Sequence, residues 1–552
     1  MSLREYVVTL HRREDLDSFY RDMENEGGPL FIPFRPIPVH DRQPTSRNTT
    51  YLLSDNEANR VSRDPRVASV ELSFQERGIE IRPAYSQTST AWVKNSTNNN
   101  THKNWGILRC VEGRTRSGWG SNGTTTVSGT VNVTASGKNV DVVIVDGHIN
   151  PAHPEFAVNA NGTGGSRVVQ FNWFSLNPLV TGGAAGTYNY TPYVDPTYPD
   201  NDGDGYSDRT VDNDHGAHVA GTAVGNDKGW ARDANIYNIN PYGSGPSYSN
   251  YFLQYIRVWH QTKAINPITG IKNPTITNHS YGIETGVLIS TITSVRYQGT
   301  IYTGPFTGAQ LQGYGIYNNG TTAAAPLRSS FFEADFQDMI DAGVIVVGAA
   351  GNTYTKIANT SANPNDDYNN YFATSSITYY YMRGTITAAS NIVCVGGVDA
   401  VVAETKLTFS NCGPRIDLYA PGRFIISSVN SNIFGTGVTD SRNASYIITK
   451  FSGTSMASPQ VCGVVACLAE AWPTLKQADV VTHLQRVSTT SQITDTGGGT
   501  TDFTALQGSN NRYLYFFKKR PDVGQVGPVF NYGNRPTSGQ TYPRSKIFRY
   551  GR

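Results

Sequence analysis

Three stretches of mostly β-branched and small apolar residues, Val140-Asp-Val-Val-Ile-Val145, Val344-Ile-Val-Val-Gly348 and Ile392 to Val398, restrict this chain more than any other feature. A strand with one wet face alternates polar and apolar residues, whereas one that is apolar at nearly every position is covered on both faces, as in a parallel sheet between helices. Helical spacing lies between the runs, for instance at Phe332, Phe336, Met339 and Ile340. Strands alternating with helices predict an α/β domain with a doubly wound, mostly parallel sheet and helices on both faces. Ligands bind such sheets just beyond the carboxyl ends of the strands, so Asp146 after the first run stands above an ordinary turn residue.

A smaller unit precedes this domain. Val7, Val8 and Leu10 form a strand-like run, and Leu16, Phe19 and Met23 share one helical face. Tyr51-Leu52-Leu53, a capping box from Ser54 to Glu57 and a strand from Arg66 to Leu72 repeat the cycle. Two strand-helix-strand cycles predict a small α+β, ferredoxin-like domain over residues 1–82. Residues 83–103 are Asn/Ser/Thr-rich without apolar period, and are expected to be a linker and the place of proteolytic processing. The large domain is expected over 104–517 with long loop insertions, notably Tyr281 to Thr322 and Thr353 to Arg383, followed by an extension, 518–552, with eight Lys/Arg against one acid, Asp522. That extension reads as a solvated tail, with a docking arm as the second reading.

A net charge of +2 gives no pull toward nucleic acid or a membrane surface. No run of about eighteen apolar residues occurs, and charge interrupts the first ten residues too early for a secretion signal, so the compartment stays open. The five cysteines sit among small or apolar neighbours and predict core positions rather than a disulfide framework or a zinc site.

Phe451-Ser-Gly-Thr-Ser-Met-Ala-Ser-Pro-Gln-Val-Cys-Gly-Val-Val-Ala466 sets Ser455 at a glycine-flanked helix start, with Pro459 expected in the first turn. Alone, such a serine is commonly an N-cap. Asp146 and His215 change the reading. An imidazole can take the hydroxyl proton, and a carboxylate can hold that imidazole in the right tautomer. Asn352, ending Gly348-Ala-Ala-Gly-Asn352, offers a side-chain N–H for a developing oxyanion.

Asp146-Gly-His-Ile-Asn-Pro-Ala-His-Pro-Glu-Phe156, His215-Gly-Ala-His-Val-Ala-Gly-Thr222 and Gly453-Thr-Ser-Met-Ala-Ser-Pro459 resemble, in order, the three signature segments of the subtilisin-like serine proteases, the subtilases. The segment Ser54 to Val70 resembles the end of the inhibitory prodomain found before many of them. The resemblance implies a subtilisin-like fold and a serine endopeptidase that removes its own prodomain. In it Asp146 orients, His215 is the base and then the acid, Ser455 attacks and Asn352 serves the oxyanion hole. Ser280, Tyr281 and Gly282, with Ala349, Ala350 and Gly351, would be the backbone-lined walls that take a protein or peptide substrate as an added strand. No cofactor is required for that chemistry. His148, His153 and His218 are expected to pack rather than react. Two positions depart from the pattern. Gly147-His148 replaces a hydroxyl residue and glycine after the aspartate, which predicts a less firmly held Asp146; Gln460 replaces a histidine after Ser-Pro, with packing consequences only.

Asp200-Asn-Asp-Gly-Asp-Gly-Tyr-Ser-Asp208 resembles a calcium loop, with Asp200, Asp202, Asp204 and Asp208 as candidate ligands of a structural calcium, although Val211 stands where a bidentate Glu is expected. Glu155 is a weaker candidate, matching a ligand position in some relatives of the family. The rival reading of the whole chain is a structural or assembly protein, for example virion-associated, that carries the protease fold with limited or no proteolysis.

Overall fold

The computed structural model describes residues 3–25, 27–32, 39–42, 47–72, 84–119, 123, 125–188, 211–241, 251–282, 284–326, 330–359, 366–383, 391–401, 403–430 and 435–516. It divides into two compact units, the first containing Met1–Pro83 and the second Ala84–Lys518. Among the described residues no helix is long and apolar enough to cross a membrane.

In the first unit, strands Arg4–Leu10, Val39–Arg42, Asn48–Leu53 and Val67–Leu72 and helices Leu16–Glu24 and Asp55–Val61 follow the expected double cycle. The sheet is antiparallel, with the first and third strands central and the second and fourth at the edges, which is the ferredoxin-like arrangement. Leu16, Phe19 and Met23 are buried with Val8, Leu10, Tyr51 and Leu53, because a helix with apolar residues at that spacing has one face to hide. The Ser54 capping box forms: the Ser54 N–H donates to Glu57 at 2.7 Å and the Glu57 N–H to the Ser54 hydroxyl at 3.4 Å.

The expected linker 83–103 is a correction. Tyr85–Trp92 is a strand paired antiparallel with Val127–Val133, and Trp92 is fully buried with its indole N–H on the Gly129 carbonyl at 3.1 Å. The segment lacks apolar period because its Ser and Thr residues face outward, while the Asn95 and Asn99 side chains satisfy backbone N–H groups two residues on. The second unit therefore begins near Ala84, twenty residues before the expected Asn104.

Its main sheet has eight strands in the order Thr489–Thr490, Arg512–Tyr513, Leu418–Pro421, Val393–Val398, Ile345–Ala349, Thr275–His279, Asp141–Val145 and Asn235–Ile239. The last six run parallel. Val142 and Ile144 face one core with Val219, Ala220, Val461 and Val465, while Val143 and Val145 face the other with Phe252, Ile256, Phe336 and Met339. This two-residue alternation explains why the strands read as continuously apolar. After Asp141–Val145 the chain goes outward to Asn235–Ile239, then returns to the opposite side as Thr275–His279. The order of strands thus reverses where Asp146 emerges, the position at which open α/β sheets form a crevice.

A separate lobe is built from two long insertions. Ser294–Tyr297 and Thr300–Thr303 from the first join Tyr371–Ala373 and Thr378–Tyr379 from the second in one antiparallel sheet, over a core that includes Val295, Leu311, Ile316, Phe372 and Tyr381.

Candidate active site

Asp146 leaves the carboxyl end of its strand fully buried. One carboxylate oxygen accepts the Gly147 N–H at 2.8 Å and lies 2.9 Å from Nδ1 of His215; the other is 3.1 Å from the same nitrogen. A carboxylate can only accept, so it holds the proton on Nδ1 and leaves Nε2 as the basic nitrogen of the neutral ring. The Gly147 peptide and His215 both hold the Asp146 carboxylate, while Gly147-His148 leaves it without the neighbouring hydroxyl. His215 lies on helix Val211–Val224, with its side chain one-fifth exposed. The next residue has to be Gly216, because a Cβ there would lie 2.1 Å from the Gly147 carbonyl oxygen.

Ser455 sits in the first turn of helix Thr454–Ala471, which is buried along nearly its whole length. Pro459 lies one turn further in than expected, and a proline there cannot donate to the carbonyl four residues back, which belongs to Ser455. The Ser280 hydroxyl donates to that carbonyl instead, at 3.0 Å, and the Ser455 hydroxyl donates to the Ser280 carbonyl at 3.1 Å. Asn278 fixes the pair from below: its amide donates to Ser280 Oγ at 2.9 Å and its oxygen accepts from Ser458 at 2.8 Å.

The Asn352 oxygen accepts from both the backbone N–H and the hydroxyl of Thr454, each at 3.0 Å, which directs its amide nitrogen the other way. A Cβ on Gly453 would be 3.5 Å from that nitrogen and 3.5 Å from the Ser455 N–H nitrogen, so the two donors converge on one face. Thr454 went unnoticed in the sequence although it lies inside the Gly-Thr-Ser motif; it also accepts the Gly351 N–H at 3.1 Å. Asn411, which carries no motif, was missed as well. Its amide and backbone N–H donate to the Ala350 and Gly351 carbonyls, at 2.8 and 2.9 Å.

That engagement revises one wall. Ala350 donates its N–H to Val395 at 2.9 Å, so the peptide groups of Ala350 and Gly351, next to Ala349, are engaged internally and form a fixed floor rather than a strand edge. At the other wall a Cβ on Gly282 would meet nothing within 4 Å, which leaves open space at Gly282, while Ser280 is buried.

The neighbouring histidines pack. His218 is fully buried, with Nε2 2.9 Å from the Ile425 carbonyl and its ring stacked on Phe451. His153 accepts the Glu155 N–H on Nδ1 and so donates from Nε2 to Ile447 at 3.0 Å. Burial, aided by His215, pushes the His218 pKa down to about 3; burial lowers His148 to about 4 and His279 to about 3. Gln460 accepts the Trp230 indole N–H at 2.6 Å and donates to Asn104 at 3.1 Å, a packing role as expected.

Glu155 holds an arginine. One carboxylate oxygen accepts the Asp227 and Lys228 N–H groups at 2.9 and 3.1 Å, and the other pairs with Arg442, which also pairs with Asp440. The guanidinium supplies the positive charge a metal would, so Glu155 is withdrawn as a calcium ligand. No metal-binding cluster of acidic, His or Cys side chains occurs among the described residues. Asp200, Asp202, Asp204 and Asp208 lie outside the described residues, and their calcium reading rests on sequence alone.

Two outcomes follow from this geometry. Ser280→Ala leaves the Ser455 carbonyl without its donor, and urea unfolding should show a loss of about 1–3 kcal/mol; an unchanged midpoint contradicts the bond's role. His218, His148 and His279 are neutral when folded but titrate near 6.5 in the unfolded chain, which binds more protons below that pH. Their contribution is complete above 6.5 and declines as pH falls toward about 3, so the melting temperature should drop between about pH 6.5 and about pH 4. A flat profile across that window contradicts the assignment.

The chain matches the model of the subtilase family over residues 137–515. It is 38% identical over 109 residues to an extracellular protease of Xanthomonas campestris pv. campestris, covering 19% of this chain and 17% of that one. It is 26% identical over 303 residues to an alkaline proteinase of Hapsidospora chrysogena, covering 55% and 52%. The chain thus spans about half the length of the second relative and less of the first. A crystal structure of a cold-adapted subtilisin-like serine proteinase aligns with a TM-score of 0.42 at 19% identity, covering 74% of this chain and 97% of that chain. With the family model matched over most of the chain, this protein belongs to the subtilase family.

Proposed function

We propose that this chain is a serine endopeptidase that works through an acyl-enzyme on Ser455. The observation that carries the reading is the His215 ring held 2.9 Å from a buried carboxylate, with the Asn352 and Ser455 N–H donors converging beside Ser455. In the proposed reaction the Ser455 hydroxyl turns from the Ser280 carbonyl toward His215 Nε2, which takes its proton as Oγ bonds to the scissile carbonyl carbon. Asp146 keeps Nδ1–H in place and steadies the imidazolium. The carbonyl oxygen, now negative, accepts from Asn352 and Ser455. Collapse breaks the C–N bond, and the amine leaves with the proton from His215. Water then attacks the ester, giving its proton to His215, and the Ser455 oxygen departs with that proton. The backbone of Ser280, Tyr281 and Gly282, open at Gly282, takes the substrate strand. An assembly role explains neither the buried Asp146–His215 pair nor the converging donors, and is the weaker reading.

Peptide hydrolysis should fall about a millionfold in Ser455→Ala and about a hundred- to thousandfold in Asn352→Ala. Full activity in the serine variant sinks the assignment.

The ferredoxin-like unit is proposed as a prodomain that the enzyme removes from itself. Since Tyr85–Trp92 is a paired strand of the peptidase unit, the cut is placed before it, in 73–84. Intact mass should show wild type shortened to a new N-terminus in that interval and Ser455→Ala left whole. A cut within 85–103, or the same cut in the serine variant, contradicts this.

A further inference from the structure

Asn238 lies in strand Asn235–Ile239, opposite Ile144 in the strand that ends before Asp146, and is buried. Partners in a parallel pair point to the same side of a sheet, so Asn238 stands on the face where Val142, Ile144 and Ile236 are buried, at a place the pattern gives to an apolar residue. Its backbone carbonyl accepts the Trp173 indole N–H at 2.8 Å. Its amide nitrogen donates to three backbone carbonyls, those of Ile144 at 3.1 Å, Asp146 at 3.3 Å and Gly147 at 3.1 Å. Only the nitrogen can donate to carbonyl oxygens, which fixes the way the amide faces. A buried amide is tolerated among apolar side chains where it is hydrogen-bonded, and here every acceptor belongs to the stretch that delivers the Asp146 side chain.

The peptide that joins Asp146 to Gly147 is gripped at both ends. Its oxygen accepts from Asn238, and its N–H donates to the Asp146 carboxylate at 2.8 Å. The C=O and N–H of a trans peptide point in opposite directions, so fixing the oxygen aims the N–H. The Gly147 carbonyl also accepts from Asn238, which stops the glycine from turning. Further along, Asn430 takes over: its amide donates to the His148 carbonyl, its side-chain oxygen accepts the Asn150 N–H, and its own N–H donates to the Asp214 carboxylate, each at 2.9 Å. The turn is thus held from His148 onward without Asn238, which leaves to Asn238 the one peptide that touches the carboxylate.

We propose that Asn238 is a positioning residue: through the Asp146–Gly147 peptide it aims the Asp146 carboxylate at Nδ1 of His215, in place of the neighbouring hydroxyl that Gly147 lacks. The proposal rests on the endopeptidase reading for the reaction it serves. Asn238 itself donates only to backbone carbonyls and acts through the carboxylate. Without its N–H groups the peptide can rotate about the glycine, the Gly147 N–H leaves the carboxylate, and the carboxylate has no single orientation toward the imidazole. A misaligned carboxylate favours the imidazolium less, so the ring loses basicity and takes the Ser455 proton more slowly.

The test measures kcat, KM and the pH profile of kcat/KM for wild type, for Asn238→Leu, which keeps a similar volume without an N–H, and for Ile236→Ala, which opens a cavity on the same face of the same strand. Asn238→Leu should lower kcat about 10- to 100-fold with KM within about twofold, and move the acidic limb of the profile to lower pH. Ile236→Ala should lower the melting temperature and leave kcat per folded molecule and the profile as in wild type. Asn238→Ala carries the same readouts with less bulk if the leucine variant does not fold. An unchanged kcat and profile in the folded Asn238 variant, the same shift in Ile236→Ala, or failure of both Asn238 variants to fold overturns the positioning role. If wild type hydrolyses nothing, the low-field proton resonance of His215 Nδ1–H, identified by its absence in His215→Ala, reads the pair directly. It should be present in wild type and displaced or lost in Asn238→Leu, and an identical resonance in both overturns the proposal, so failure of the endopeptidase reading and failure of this one remain distinct.

Discussion

The carbonyl of Ser455 is the point on which the site turns. Pro459 withholds the helical N–H that this carbonyl would receive, and the Ser280 hydroxyl supplies the missing bond across the crevice. A buried carbonyl without a donor is costly, so the proline compels the Ser455 helix and the turn after strand Thr275–His279 to meet. The return bond from the Ser455 hydroxyl to the Ser280 carbonyl closes the pair and holds the serine beside the open wall. One proline in a helix thereby fixes Ser455 and Ser280 in a single register.

The rest of the site shows the same economy of backbone. Gly216 lets the His215 helix touch Gly147, and the Gly147 N–H bonds the carboxylate that orients His215. Thr454 turns Asn352 so that its amide joins the Ser455 N–H. Two buried carboxylates away from the crevice are paired within the protein, Glu155 with Arg442 and Glu404 with Arg109 at 2.7 Å. Breaking such a buried pair from one side leaves an uncompensated charge, so these contacts keep the segments that carry them in place.

The sheet was legible because three of its buried parallel strands, Asp141–Val145, Ile345–Ala349 and Val393–Val398, are apolar at nearly every position, and Asp146, His215, Asn352 and Ser455 could be singled out because each sits in a short local motif. The order of strands was not, since nothing local records that Thr275–His279 crosses back past Asp141–Val145. The segment from Tyr85 was misread because its strand is rich in Ser and Thr, whose outward hydroxyls erase the apolar period while Ala91 and Trp92 are buried at its end. Arg442 on Glu155 and Asn411 on Ala350 join residues far apart in sequence, so no spacing announces them. The lobe escaped for a related reason: its strands are short, and half of its sheet comes from each insertion.

The central claim is that His215, held by Asp146, makes Ser455 a nucleophile. A phosphonofluoridate probe, which loses fluoride when a hydroxyl attacks phosphorus, reads this directly when the labelled chain is mapped by peptide mass spectrometry. The account predicts a single adduct on Ser455 that disappears in His215→Ala. An unlabelled chain, or an adduct on Ser455 that forms equally well without His215, would contradict it.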